Sequence, residues 1–161
     1  MARVLIVGCG CRGQTLAREL RARGHAVRGT TRDPQRLDGI EAAGAEPFLA
    51  DPDRVGTLVP AFAGVAVICL LLGSATGTPA ELEALHGTRL DMLLQRVIDT
   101  TIHGVLYEAS GTVTPALLAG GADLVHTKCE QSSIPYALLR AGPRTWLTDA
   151  TGEIDALLAA R

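Results

Sequence analysis

Residues 3–13 read Arg-Val-Leu-Ile-Val-Gly-Cys-Gly-Cys-Arg-Gly, and no other stretch limits so strongly what this chain can fold into. Four apolar residues, Val4–Val7, break into Gly8-x-Gly10-x-x-Gly13, and helix-forming residues follow at once. That order is a buried parallel strand, a tight turn and a helix N-terminus. Gly8 permits the sharp turn, Gly10 lets backbone approach a bound group, and Gly13 allows helix to pack closely on strand. The unpaired N–H groups of the first helical turn, aided by the helix dipole, then face an anion. The stretch predicts a diphosphate cradle built from Gly8, Gly10, Cys11, Arg12 and Gly13.

Beyond it the chain alternates. The first helix is expected over about Gln14–Arg23, with Leu16, Ala17 and Leu20 inward and Gly24 as its stop. His25–Thr31 reads as strand two, and Asp33-Pro34 as a cap with proline at the first helical position. Glu46–Ala50 is strand three, and Asp51-Pro52-Asp53 opens a predicted helix through Phe62. Val65–Leu72, apolar at every position, has the character of a strand buried on both faces. A Leu-rich helical segment is expected from Ala80 to about Thr100, bent or split at His86-Gly87. Gly104–Ala109 is strand five, Pro115–Ala119 a short helix, Asp123–His126 a sixth strand, Ile134–Arg140 one further strand, and Ile154–Ala160 a closing helix. With no repeat or linker, residues 1–161 are read as one compact α/β domain, a doubly wound parallel sheet of Rossmann type without a separate substrate domain.

Composition excludes several function classes. A formal net charge of −2 gives no basic field for nucleic acid, and 3% aromatics leave no stacking platform for single strands. Val65–Leu72 is too short to span a bilayer. The N-terminus enters the first strand directly, with no room for a signal peptide, so a cytoplasmic protein is expected. Cys9, Cys11, Cys69 and Cys129 form no C-x-x-C pair and show no zinc spacing, so no metal site is expected. Cys9 and Cys11 flank Gly10, where the helix N-terminus would acidify a thiol.

The end of strand two decides which dinucleotide would fit. An acid there holds a ribose 2′-hydroxyl; this chain has Thr30-Thr31-Arg32. Hydroxyls and a guanidinium suit a 2′-phosphate, with Arg12 as a second cation, so NADP(H) is favoured over NAD(H). In the other reading Arg32 is a solvated charge and Asp33 faces the ribose. S-adenosylmethionine is a weaker fit, since its usual acid at this place is missing.

Residues 4–72 resemble the N-terminal half of the atypical, epimerase-like and NmrA-like short-chain dehydrogenase/reductases. The matching pieces are Val4–Gly13, Arg23–Pro34 (R-G-H-A-V-R-G-T-T-R-D-P), Gly44–Asp51 (G-A-E-P-F-L-A-D) and Gly64–Gly73 (G-V-A-V-I-C-L-L-L-G). The resemblance implies that Asp51 lies near the adenine and that Leu71, Leu72 and Gly73 border the cofactor. It also implies a Tyr-x-x-x-Lys pair, and here this sequence departs. Gly111 stands four residues beyond Tyr107, and Arg140 four beyond Tyr136. The C-terminal substrate region of those relatives would begin about where this chain ends.

Other chemistry is expected at strand C-termini, among Ser74, Thr76, Ser110 and Thr112, and after the predicted sixth strand among His126, Lys128, Cys129 and Glu130. Ser110 could polarise a carbonyl, and His86 or His126 could move a proton near neutral pH. His86 and Arg89, three apart, would share a helix face. Glu108, unusual in a central strand, needs a partner such as Arg89 or His103. Two classes follow: an NADP-dependent oxidoreductase or epimerase-like enzyme acting on a small molecule, or a dinucleotide-binding sensor without turnover. The Leu-rich segment suggests a homodimer surface, or else a stripe that covers its own sheet.

Overall fold

The computed structural model describes residues 2–160. Six parallel strands, β1 (Arg3–Val7), β2 (Ala26–Thr31), β3 (Glu46–Leu49), β4 (Val67–Leu70), β5 (Gly104–Glu108) and β6 (Tyr136–Leu139), form one sheet in the order β3-β2-β1-β4-β5-β6. Val4 lies level with Val27 on one side and Val67 on the other, and Ile68 with Val105. This is the doubly wound order, and the direction of winding reverses between β1 and β4. Ligands of such sheets bind outside the strand C-termini at that point.

Helices α1 (Cys11–Ala22), α2 (Leu37–Ala42), α3 (Pro79–Leu85), α4 (Thr88–Val97), α5 (Pro115–Gln131) and α6 (Trp146–Ala159) cover the two faces. One layer packs Leu16, Leu20, Ile40 and Ile154 against Val4, Ile6 and Cys69; the other packs Leu90, Leu94 and Val125 against Leu5, Ile68 and Val105. The Leu stripe of α4 is therefore spent on its own sheet, and Met92 is the large apolar side chain it leaves exposed. Among the described residues no helix is long and apolar enough to cross a membrane.

The long Leu-rich segment takes the split form of its two expected forms: it divides at His86-Gly87 into α3 and α4, with Gly87 at φ −122° and ψ −103°. Other expected elements differ. The region after Asp51 forms two short 3₁₀ turns, Val55–Thr57 and Val59–Phe62, because Gly56 and Pro60 interrupt a regular helix. The closing helix starts earlier, at Trp146.

The β5–β6 connection differs more. Asp123–His126 is not a strand; it lies inside α5, which runs unbroken through Gly120-Gly121, and the sixth strand is Tyr136–Leu139. The glycine pair reads locally as a helix stop. In the fold, a Cβ on Gly121 would stand 2.0 Å from the Tyr107 hydroxyl oxygen, so that glycine serves a close helix–sheet approach.

Candidate functional site

A cavity of about 540 Å³ opens at the C-terminal ends of β1, β2 and β4. Gly8, with φ +82°, turns the chain out of β1, and a Cβ there would meet the Leu71 carbonyl oxygen at 2.6 Å. Gly10 is the N-cap of α1 and brings no side chain to the first turn, which also lacks an acidic residue. A Cβ on Gly10 would meet only the Arg36 guanidinium, at 3.7 Å. The amino end of α1 is thus open, electropositive and faced by a cation, a cradle suited to a diphosphate. Of the eleven positions predicted to hold a dinucleotide, ten line this cavity: Gly8, Gly10, Cys11, Arg12, Gly13, Thr31, Arg32, Asp51, Leu71 and Leu72. Gly73 does not, because its N–H donates to Glu108 Oε1 (2.9 Å) and its carbonyl accepts from Val113 N–H (3.0 Å).

At the β2 end, Arg32 Nη2 donates to the Thr76 carbonyl at 3.0 Å, reaching from β2 to the loop after β4. Asp33 Oδ1 accepts from Gln35 N–H at 2.9 Å, and its Oδ2 lies 3.8 Å from Arg36 Nε. The acid after β2 therefore serves as a helix cap. Arg36 escaped the sequence reading; its only sequence signal is a second arginine four residues after Arg32, on the turn that Asp33 caps.

Arg12 points the other way, toward β5. Its Nη1 lies 2.9 Å from Glu108 Oε2, its Nη2 donates to Ser74 Oγ at 3.0 Å, and its guanidinium stacks 5.3 Å from the centre of the Trp146 ring. It is therefore not a second cation for a group at the β2 end. Glu108 is fully buried and also accepts from Trp146 Nε1 at 3.0 Å. Burial pushes its carboxyl above the ordinary carboxylate range, against the pull of Arg12, the Gly73 N–H and the Trp146 N–H. Arg89, one expected partner of Glu108, pairs instead with Asp53 at 3.2 Å, and the other, His103, stands just before the first residue of β5, whose last residue is Glu108.

Residues 8–152 match the family described as NAD(P)H-binding. The chain belongs to that NAD(P)H-binding family. Among curated proteins none matches this sequence. In fold this NAD(P)H-binding protein is similar to a short-chain dehydrogenase/reductase superfamily protein of Agrobacterium tumefaciens with bound NAD (TM-score 0.70, 17% identity, covering 86% of this chain and 48% of that one). It is also similar to a Bacillus halodurans protein provisionally named an NAD-dependent epimerase/dehydratase (TM-score 0.72, 24% identity, 89% and 71%). A third is the Citrobacter sp. triphenylmethane reductase complexed with NADP(H) (TM-score 0.62, 18% identity, 85% and 48%). The chain thus spans about half the length of two of these three structures.

The three residues considered for proton or carbonyl chemistry are not gathered at the cavity. Ser110 Oγ donates to the Ala141 carbonyl at 3.4 Å. His126 sits on α5 beside the Tyr136 hydroxyl, and Tyr136 is level with Val105 near the start of β5, at the opposite edge of the sheet. His86 is buried at the C-terminus of α3 and does not share a helix with Arg89. Its Nδ1 pairs with the Tyr107 hydroxyl (2.6 Å) and its Nε2 with the Leu72 carbonyl (3.0 Å). A carbonyl only accepts, so the ring proton is on Nε2 and the tyrosine donates to Nδ1. Among the thiols flanking Gly10, Cys9 is buried, which pushes it up to about 12 rather than acidifying it, while Cys11 is exposed. The described residues hold no His/Cys/Asp/Glu group able to bind a metal.

Burial holds His86 below its ordinary value of 6.5, so the unfolded chain takes up a proton before the folded one as pH falls. Its contribution to stability is complete above 6.5 and is lost progressively below it. In His86→Gln, urea midpoints measured from about pH 7.5 to about pH 5 should fall less steeply than in the wild type. Identical slopes would show that His86 does not titrate out of its buried pair.

Proposed function

We propose that this chain binds NADP(H) in preference to NAD(H) and serves oxidoreductase or epimerase-like chemistry on a small molecule. One arrangement carries the preference. Arg32 and Arg36 flank the end of β2, while the Asp33 carboxylate that would compete for ribose hydroxyls is occupied as a cap. Two guanidiniums beside Thr31 offer forked donors to a 2′-phosphate, and charged hydrogen bonds of this kind are worth roughly 1.5 to 3 kcal/mol each. The first-turn N–H groups of α1 would hold the diphosphate, and Asp51 would lie toward the adenine. Bound there, the dinucleotide supplies a hydride donor or acceptor at its nicotinamide ring. We assign Ser110 to polarising a substrate carbonyl, which requires its hydroxyl to leave the Ala141 carbonyl.

Calorimetric titration tests this reading. Wild type should prefer NADPH over NADH by about tenfold or more, and Arg32→Ala and Arg36→Ala should each cut that ratio about five- to tenfold. An unchanged ratio in both variants would remove the two arginines from the 2′-phosphate site.

A second reading, a dinucleotide sensor without turnover, is favoured by the enclosure of His86, the remote place of His126 and the lack of a Tyr-x-x-x-Lys pair. Tight NADPH binding with no cofactor oxidation across a panel of aldehydes and ketones would support the sensor. Oxidation by any of them, abolished in Ser110→Ala, would support the enzyme.

A further inference from the structure

The cavity does not extend over the whole crevice. From the glycine turn it runs to β2 and β3, and on the β4 side it stops at Ser74, Ala75 and Thr76 and the flank of α3. No described residue after β5 or after β6 lines it. Two features close that end. First, the loops after β4 and β5 are fastened together: Gly73 N–H donates to Glu108, Val113 N–H to the Gly73 carbonyl, and Thr112 N–H to Ser74 Oγ at 3.2 Å. Their backbones are so close that a Cβ on Gly73 would lie 2.0 Å from the Ser110 carbonyl oxygen, and one on Gly111 2.2 Å from that of Gly73. Second, the Arg12 side chain crosses from the glycine turn to Ser74, Glu108 and the Trp146 ring, standing as a wall between the diphosphate cradle and the β5 side.

We propose that the site is a receptor for the 2′-phosphorylated adenosine diphosphate portion of the dinucleotide, with Arg12 closing the place of the nicotinamide ring. This rests on the NADP(H) reading above and adds to it which half of the ligand carries the affinity. The open half holds the cations and the glycine turn, which recognise phosphate and adenosine. The ring gains a place only when Arg12 gives up Glu108, Ser74 and its stacking on Trp146, so ring contacts are offset by the loss of those bonds.

The full chain is titrated calorimetrically with NADP⁺ and with 2′-phospho-ADP-ribose, which keeps the diphosphate and lacks only the nicotinamide ring. The expected result is that 2′-phospho-ADP-ribose binds within about tenfold of NADP⁺. NADP⁺ binding more than about tenfold tighter would overturn the closure and leave the NADP(H) reading standing. Failure of both to bind would overturn both. Arg12→Ala should raise the ratio of NADP⁺ to 2′-phospho-ADP-ribose affinity about tenfold, and Ser74→Ala, which removes one of the bonds holding Arg12, should raise it about threefold. Ratios unchanged in both variants would show that Arg12 is no barrier. Trp146, the chain's single tryptophan, gives a second readout: its emission should change little when 2′-phospho-ADP-ribose saturates wild type. A large change on 2′-phospho-ADP-ribose binding would mean that Arg12 leaves the indole without any nicotinamide ring to displace it, against the proposal.

Discussion

Gly10→Asp should abolish dinucleotide binding in a protein that is as stable as the wild type or more so. Gly10 has φ −85°, a conformation open to any residue, and a Cβ there meets only Arg36 Nη1 at 3.7 Å. Aspartate is moreover a favoured N-cap: its carboxylate would accept from the first-turn N–H groups and complement the helix dipole, adding about 0.3 to 1 kcal/mol. The same carboxylate would fill the cradle with negative charge, consume the donors meant for the diphosphate and draw Arg36 onto itself. The combined loss should reach at least about 100-fold in affinity for NADPH, close to about 2.8 kcal/mol. Thermal unfolding and calorimetry on one preparation check both halves. Gly8→Ala is the contrasting control. With φ +82° and the Leu71 carbonyl at 2.6 Å, that substitution strains the turn itself and should lower stability together with binding. A folded Gly10→Asp protein that still binds NADPH would remove the glycine turn from the site.

The contrast between these two glycines shows why part of the site was legible. The strand, turn and first helix are specified within residues 3–22, by a local run of apolar residues and by spacing, so the turn at Gly8, the bare N-cap at Gly10 and the close packing at Gly13 are legible from the sequence alone. The same holds for Asp33-Pro34, where cap and proline are neighbours in the chain. What stayed hidden depends on contacts between distant segments. Arg12 is placed in the turn by its position but not aimed by it, because Glu108 and Trp146 reach it through β5 and α6. Gly120-Gly121 carries a local stop signal that tertiary packing against Tyr107 overrides. His126 is displaced together with the strand it would have followed. Once Asp123–His126 becomes the middle of a helix, the histidine moves to the far edge of the sheet.

Glu108→Ala should be the most destabilising single truncation at the site. Glu108 is the C-terminal residue of β5, and alternation along the strand sends its side chain to the face opposite Tyr107, under α6. There it accepts from three donors supplied by three separate segments: Gly73 after β4, Arg12 in α1 and Trp146 in α6. Arg12 is half-exposed and can turn to water when its partner is lost. The Gly73 N–H and the Trp146 indole N–H cannot, and each would be left buried without an acceptor, beside the space vacated by the side chain. Removing one member of such a buried charged set costs about 3 to 5 kcal/mol, a large part of the roughly 5 to 15 kcal/mol typical of a domain's whole stability. Glu108→Gln should cost less, about 1 to 3 kcal/mol, because one oxygen still accepts from Gly73 while the amide NH₂ confronts the remaining donors. Arg12→Ala leaves the buried carboxylate without its counter-charge but with two of its three donors, so it should cost about 1 to 3 kcal/mol, as Glu108→Gln does. Urea denaturation should therefore show Glu108→Ala to be more damaging than either Glu108→Gln or Arg12→Ala. A Glu108→Ala protein within about 1 kcal/mol of wild type, on the order of a single ordinary hydrogen bond, would mean that the carboxylate does not tie the three segments together, and Arg12 would then lose its fixed position beside the cradle.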